Sequence, residues 1–359
     1  MLAWCQLREL ATIFSVNIYK IPEKAQIGMV IEMKINASHG SGGKATSDLI
    51  NSVFAKNFSN EILNKMEDSA VVKSSGKIAI TTDSFVVKPL FFNGGDIGKL
   101  AICGTVNDLL MMGAVPKYLT CGFIIEEGAE FETLEKIANS MSISAKEANV
   151  IIVAGDTKVI EGNGGIYINT SGVGFVPKEL NLSSSSCKDG DVIILSGTLG
   201  DHHATILSSR LGIKNEIKSD CAPLTEMVSA LFSNNIKVKA MRDVTRGGLA
   251  TILNEFSLAS KCVVEINETS LPVSQSVKGL CEILGLEPLN MGNEGKFIAV
   301  VDKADADKAV NILKNSKYGE NASIIGEIKA GEPIVILNTE LGGRRIIEEL
   351  YGEGLPRIC

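Results

Sequence analysis

The sequence predicts an α/β (α+β) protein of two domains on three observations. Apolar runs of strand character alternate with segments of helical apolar spacing along nearly the whole chain, the pattern of layered α/β architectures. The alternation breaks once, near residues 176–188, where Pro177 and the run Ser183-Ser184-Ser185-Ser186 intervene and a new strand-like run follows. A chain of 359 residues, 45% of them hydrophobic, is also long enough to bury two cores.

Residues 1–32 read as an extension, because the first organised segment begins at Met33 and runs into His39-Gly40-Ser41-Gly42-Gly43-Lys44. Leu49, Ile50, Val53, Phe54, Phe58 and Ile62 have helical spacing, which predicts a helix over 46–63. Residues 77–87 read as a strand, 97–112 as a helix of small and apolar residues, 118–125 as a strand after Val115-Pro116, and 131–148 as a helix. The apolar strand 150–154 follows, with Gly155-Asp156-Thr157-Lys158 expected at its end. The second half restarts with a strand over 191–196 and the turn Gly197-Thr198-Leu199-Gly200-Asp201. Helices follow over 202–212 and 223–233, then after Arg246-Gly247-Gly248, and over 303–315. Strands are predicted at 262–266, 296–301 and 322–328. Past Leu337 the chain reads as a tail ending Leu355-Pro356-Arg357-Ile358-Cys359. The expected organisation is thus an extension (1–32), a first domain (33–177), a second domain (188–337) and a tail (338–359).

Net charge is −7, and the lysines and arginines are scattered rather than clustered, which argues against nucleic-acid or membrane-surface binding. Eight cysteines form no CxxC pair and no ligand-like spacing with the three histidines, so neither a zinc site nor a disulfide framework is expected, and a reducing cytoplasmic compartment is. Gln6, Arg8 and Glu9 interrupt the N-terminal apolar patches, unlike a secretory signal. No stretch is long and apolar enough to span a bilayer.

Three aspartates are placed by this reading at strand or helix ends: Asp83 in Thr-Thr-Asp-Ser, Asp108 in Val-Asn-Asp-Leu and Asp156 in Ala-Gly-Asp-Thr-Lys. Hard oxygen ligands gathered in this way suit Mg²⁺ with bound phosphates. The glycines of His39-Gly40-Ser41-Gly42-Gly43-Lys44 would let backbone amides approach phosphate oxygens, although the spacing is neither a P-loop nor a dinucleotide fingerprint. Singly, each aspartate is better explained by a turn or a helix cap, whereas together with the glycine-rich loop and two nearby lysines the set is better explained as a metal and nucleotide site. Asn93-Gly94-Gly95-Asp96-Ile97-Gly98 and Arg242-Asp243-Val244-Thr245-Arg246-Gly247-Gly248 are further loops before helices, where exposed amides favour anions. Asn293-Glu294-Gly295-Lys296 sets an acid and a base in a turn before a strand.

Taken in order, HGSGGK, TTDSF, GGDIGKLAICGTVNDLLMMGA, GDTKV, DVTRGGL, NEGK and the terminal LPRIC resemble the HypE family of hydrogenase maturation factors over residues 33–359. The internal motifs are similar to the wider aminoimidazole ribonucleotide synthetase-related, or PurM-like, superfamily; the terminal Pro-Arg-Ile-Cys singles out HypE. The resemblance implies a two-domain PurM-like architecture whose N-terminal domain forms a homodimer and the ATP site, with a C-terminal α/β domain and an extended tail. It implies ATP and Mg²⁺ as cofactors. Asp83, Asp108 and Asp156 would hold the metal, and Gly40, Ser41, Gly42, Gly43, Lys44, Asn107 and Thr157 would join them around ATP. Cys359 would carry a carbamoyl group loaded by the carbamoyltransferase HypF and dehydrated to a thiocyanate, with the HypC–HypD iron-carrying complex accepting the cyanide. Lys44 and Lys158 would steady the phosphates, with Glu294 the first candidate for the base and Lys158 the second. One departure is visible: His203 stands where glycine is expected, and it reads as a tolerated surface histidine. Two other readings are an ATP enzyme of the same superfamily with Cys359 incidental, and a nucleotide-regulated scaffold without chemistry.

Overall fold

A computed structural model describes residues 34–36, 39, 49–61, 63–65 and 76–349. The glycine-rich loop from Gly40 through Lys44, the extension 1–32 and Cys359 lie outside the described residues.

The first half is a four-stranded sheet backed by helices. Its strands are β1 (Lys77–Phe85), β4 (Val115–Glu126), β5 (Ile151–Ile160) and β6 (Ile166–Val176), in the order β1-β6-β4-β5, after a small hairpin β2 (Phe91–Phe92) and β3 (Gly95–Asp96) is set aside. All pairings are antiparallel except β4 with β5. That pair is parallel because helix α2 (Phe131–Ala148) crosses between them, as parallel neighbours require. Asn149 ends α2 at φ 57, a left-handed position that asparagine tolerates. Helix α1 (Ile97–Met111) lies beside α2 and is buried almost all round, as expected of a helix enclosed between two layers. The Asp96 carboxylate caps it, accepting from the amides of Gly98 (2.7 Å) and Lys99 (3.1 Å). The other face of the sheet is open and apolar in the single chain, with Ile78 at 47% and Ile80 at 68% exposure, and Ile124 and Ile160 also exposed.

The chain passes through 177–191 into a seven-stranded sheet. Its strands are β7 (Val192–Leu195), β8 (Val238–Asp243), β9 (Val263–Asn267), β10 (Phe297–Val301), β11 (Ser323–Lys329), β12 (Ile334–Asn338) and β13 (Arg344–Ile346), in the order β13-β12-β9-β11-β7-β10-β8. Helices α3 (Asp201–Leu211), α4 (Thr225–Ser233), α5 (Gly248–Ser260), α6 (Gln275–Leu284) and α7 (Ala306–Lys314) complete it. Every residue of β7 and β10 is buried, so both faces of the sheet are covered there. Alternation divides them: Ile193 and Leu195 join Leu249, Leu253 and Phe256 of α5 in one core, while Val192 and Ile194 join Leu100 and Cys103 of α1 in a core common to both halves. Among the described residues no helix is long and apolar enough to cross a membrane.

Four expectations are corrected. The helix of 46–63 is π-helical over Ile50–Ala55, α-helical over Lys56–Phe58, and stops at Ser59, whose ψ is 122°. Gly155-Asp156-Thr157-Lys158 does not end a strand but lies inside β5, because Thr157, Val159 and Ile160 keep pairing with β4. Residues 338–349 are not all tail: Arg344–Ile346 forms an edge strand on β12. Strands β6, β8 and β12 and helix α6 were not anticipated.

Candidate active site

The site forms where α1 meets the second sheet. Thr105 and Asp108 are one helical turn apart on α1 and face β1. Thr105 Oγ1 donates to Asp83 Oδ2 (2.9 Å), and Thr81 Oγ1 donates to Asp108 Oδ2 (2.7 Å). Two hydroxyls from opposite sides thus fix two carboxylates beside one another. From the second half, Asp243 ends β8 and is 9% exposed. The turn after it holds Arg246, Gly247 and Gly248. Glycine is required at 248, where φ is +64 and a Cβ would stand 2.4 Å from the Leu289 carbonyl.

Glu294 is half-buried in the turn before β10. Its backbone is held by neighbours: fully buried Asn293 accepts from Gly200 N (2.8 Å) and donates to Val244 O (3.2 Å), and Asp220 Oδ2 accepts from Gly295 N (3.0 Å).

The electrostatics show that these acids converge. Burial, and then the Asp108 carboxylate, lifts Asp83 above the usual carboxylate range, against the Thr105 hydrogen bond and Arg246. Burial, then Asp108, pushes Asp243 up to about 7, with Asp83 adding to the rise. Glu294 is raised well above its ordinary value by burial, then by Asp243 and Asp220, with Arg246 opposing. Carboxylates raised against one another in this way make a candidate site for positive charge. Among the described residues no three such side chains stand close enough to hold an ion alone. The set fits Mg²⁺ all the same, since that ion binds through one or two carboxylates and completes its shell with phosphate and water.

Because an acid whose folded pKa is raised favours folding only while protonated, Asp243 contributes stability below the unfolded value of 3.8 and loses it as pH rises to about 7. Asp243→Asn is therefore expected to melt above wild type at pH 8 without nucleotide or metal, by up to about 4 kcal/mol, the gain vanishing toward pH 4. Melting curves across that range check this, and a constant difference at all pH values would contradict it.

Several expected site residues are not in this centre. Asp156 and Lys158 form an exposed ion pair at 2.7 Å. Register explains why: Asp156 lies in the row Ser84-Asn169-Gly122-Asp156, whereas Asp83 lies in the row Asp83-Thr170-Cys121-Gly155, and adjacent rows point to opposite faces. Asp156 and Lys158 therefore project from the open face, and the expected triad of Asp83, Asp108 and Asp156 does not assemble within one chain. Thr157 points to the helix side but is three strands from β1, about 14 Å.

Asn107 is also accounted for. It is 2% exposed, donates to Ala222 O (3.1 Å) and Glu294 O (3.4 Å), and accepts from Leu224 N (2.9 Å). It ties α1 to the second half rather than facing a phosphate. Asn107→Ala is expected to cost about 1–3 kcal/mol by orphaning buried backbone groups, with a smaller effect on nucleotide affinity; urea unfolding beside a binding titration separates the two.

His203 is not a surface residue: it is 4% exposed and, among the described residues, its Nε2 is the buried side-chain atom without a hydrogen-bond partner. Burial, aided by the Arg210 charge, pulls it down to about 4, so it stays neutral. Sequence reasoning missed Asp243 as a site acid; its position at the end of the unrecognised strand β8 was the signal.

Two mixed sheets, with acids from both halves meeting across a buried helix, define an AIR synthase-related protein. The AIR synthase related protein N-terminal domain family matches residues 66–176 and the corresponding C-terminal domain family matches 188–338. The carbamoyl dehydratase HypE of Escherichia coli K12 is 43% identical over 335 residues, covering 90% of this chain and 99% of that protein. A crystal structure of HypE in complex with ATP superposes with a TM-score of 0.87 at 42% identity, covering 90% of this chain and 99% of that one. A chain of the crystal structure of a HypE–HypF complex does so at 0.74 and 48% identity, covering 84% of this chain and 99% of that one. The chain belongs to the HypE family.

Proposed function

We propose that this protein dehydrates a carbamoyl group carried on Cys359 to a thiocyanate, using ATP, and so supplies cyanide for the Fe(CN)₂CO centre of [NiFe] hydrogenases. The observation that supports the reading is the meeting of Asp83 and Asp108 with Asp243 and Glu294 across α1, a set of acids that would place a metal-bound phosphoryl group beside a proton acceptor. The ATP-bound relative supports the nucleotide.

Oxygen leaves a thiocarbamate S–C(=O)–NH₂ only as a better leaving group. The γ-phosphoryl group of ATP passes to that oxygen, phosphate departs, and the nitrogen gives up its two protons, leaving S–C≡N. Asp83, Asp108 and Asp243 would hold Mg²⁺, which when bound offsets charge on the phosphates. Arg246 adds positive charge at the same place, and Gly40, Ser41, Gly42, Gly43 and Lys44 supply the phosphate loop. Glu294 takes one nitrogen proton and the departing phosphate carries away the other, and a carboxylate raised above its ordinary value is a stronger base than a free one.

The open apolar face of the first sheet supports a homodimer packed on it. Asp156, Thr157 and Lys158 belong to β5 of that sheet, and Asp156 and Lys158 enter the chemistry from the interface with the second copy. A HypF-type carbamoyltransferase loads Cys359, consistent with the solved HypE–HypF complex, and a HypC–HypD complex receives the cyanide. Intact-mass spectrometry after incubation with the carbamoyltransferase, carbamoyl phosphate and ATP tests the whole reading. One carbamoyl adduct should appear and then lose the mass of one water; an adduct that persists unchanged with ATP overturns it.

A further inference from the structure

Glu294 stands in a turn before β10 rather than on a helix or strand, so no regular backbone fixes where its carboxylate points. The segment 219–222, between α3 and α4, supplies that fixing. Asp220 lays its carboxylate along the turn: Oδ2 accepts from Gly295 N (3.0 Å), while Oδ1 accepts from Glu294 N (3.4 Å) and from His202 N (3.1 Å) in the first turn of α3. A return contact runs the other way, Ala222 N donating to Glu294 O (3.4 Å). The two segments touch so closely that a Cβ at Gly295 would stand 1.9 Å from the Asp220 carbonyl oxygen, which leaves room for glycine alone. The clamp is itself held, because Ser219 N donates to Asn93 O (2.8 Å) and Cys221 N to Ser219 Oγ (3.1 Å).

Holding the turn does not call for a charge. Asn293, the neighbouring clamp, is neutral, and it satisfies Gly200 N and Val244 O with one amide group. A carboxylate at 220 instead repels the acid that it holds. Burial, then Asp243, then Asp220 raise Glu294 above its ordinary value, with Arg246 opposing and Asp83 adding to the rise. Such repulsion weakens the folded chain and strengthens Glu294 as a proton acceptor, which serves chemistry at Glu294 and nothing in the packing of the turn.

We propose that Asp220 is a positioning residue for the dehydration, its carboxylate holding the 293–295 turn so that Glu294 meets the N–H bond of the carbamoyl group that it breaks. This role rests on the reading of Glu294 as the base. Asp220 acts through Glu294 and not on ATP, so its loss should slow proton removal and leave nucleotide binding alone.

Dehydration is followed in the full chain, carbamoylated by the carbamoyltransferase, as the loss of one water after saturating Mg·ATP is added. Wild type, Asp220→Asn, Glu294→Gln and the double variant form a cycle. Asparagine keeps the size of the side chain, but its NH₂ group faces an amide N–H where Asp220 presents an oxygen. Asp220→Asn is expected to slow dehydration about 10- to 100-fold, as a reacting group displaced by up to about 1 Å does, with loading and Mg·ATP affinity unchanged. Glu294→Gln is expected to slow it about 10²- to 10⁴-fold. Adding Asp220→Asn to Glu294→Gln should cost nothing more, because a group that acts only through Glu294 then has nothing left to position. Asp220→Glu, charged but one methylene longer, should slow the wild-type chain about threefold and the Glu294→Gln chain not at all, and it decides the matter should Asp220→Asn not fold. Wild-type rates in the Asp220 variants, slowing by the same factor in both backgrounds, or a loss confined to Mg·ATP affinity overturn the positioning role and leave Glu294 as the base. Wild type that takes no carbamoyl group, or a wild-type rate in Glu294→Gln, removes that base, and the positioning role with it.

Discussion

Cys359→Ala is expected to accept no carbamoyl group and to form no thiocyanate, a complete loss, while binding Mg·ATP as wild type does. The acidic centre is built from β1, α1, β8 and the turn at Glu294, all distant from residue 359 in sequence. Serine is the sharper probe. Its hydroxyl is nearly isosteric with the thiol but far less nucleophilic near neutral pH, where a thiol holds some thiolate. Six of the other seven cysteines, at 103, 121, 187, 221, 262 and 281, are buried. Burial pushes Cys187 and Cys281 up to about 11 and Cys121 further still, which makes them poor acceptors. Peptide mapping should therefore place the adduct on the last peptide. An adduct elsewhere, or dehydration that survives in Cys359→Ala, would return the enzyme to the general activity of its superfamily.

Asp83→Asn and Asp108→Asn should each lower ATP turnover by about 10²–10³, the usual range when one preorganised electrostatic partner of a transition state is removed. Each also removes a hard anionic ligand and leaves a hydroxyl, Thr105 or Thr81, facing an amide. The carboxamide keeps the size of the side chain, so thermal stability should hold or rise, as repulsion among the acids is relieved. Calorimetric titration with Mg·ATP, beside turnover, is the measurement. Wild-type affinity and turnover in both variants would mean that the acidic centre is not the nucleotide site.

Much of this arrangement was legible in the residues, and the failures have physical causes. Helices α1 and α2 announced themselves through apolar spacing, and in the loop read only as preceding a helix the Asp96 carboxylate caps α1. Strand β6 received no sequence assignment, and its run holds Gly172 and Gly174, a residue type depleted in strands. In the fold Gly172 is a packing residue, since a Cβ there would stand 2.8 Å from Thr105 Cγ2 and 2.9 Å from Leu109 Cδ1. Asn107 and Asp108 look like a polar pair, yet successive helical residues differ by about 100° in direction. Only Asp108 reaches β1, and Asn107 turns to the second half. Asp156 was misplaced because its face depends on the register of a strand whose end was put too early. Asp83 and Asp108, singled out in the sequence, do lie beside one another, whereas bringing Asp243 to the same place required knowing strand β8.

The core that α1 has in common with both sheets carries a further consequence. Leu100 and Cys103 pack in one continuous cluster with Ile152 of the first half and with Ile194, Met227 and Val301 of the second. Asn107 stitches the same seam with hydrogen bonds, and Glu147 of α2 accepts from Tyr318 OH (2.6 Å) across it. Severing the chain between the halves would strip each of the apolar wall it leans on, so neither piece inherits a finished interior. Gene fragments encoding the halves separately would then yield products that need one another to fold, and a nick within 177–191 would leave a complex rather than two free domains.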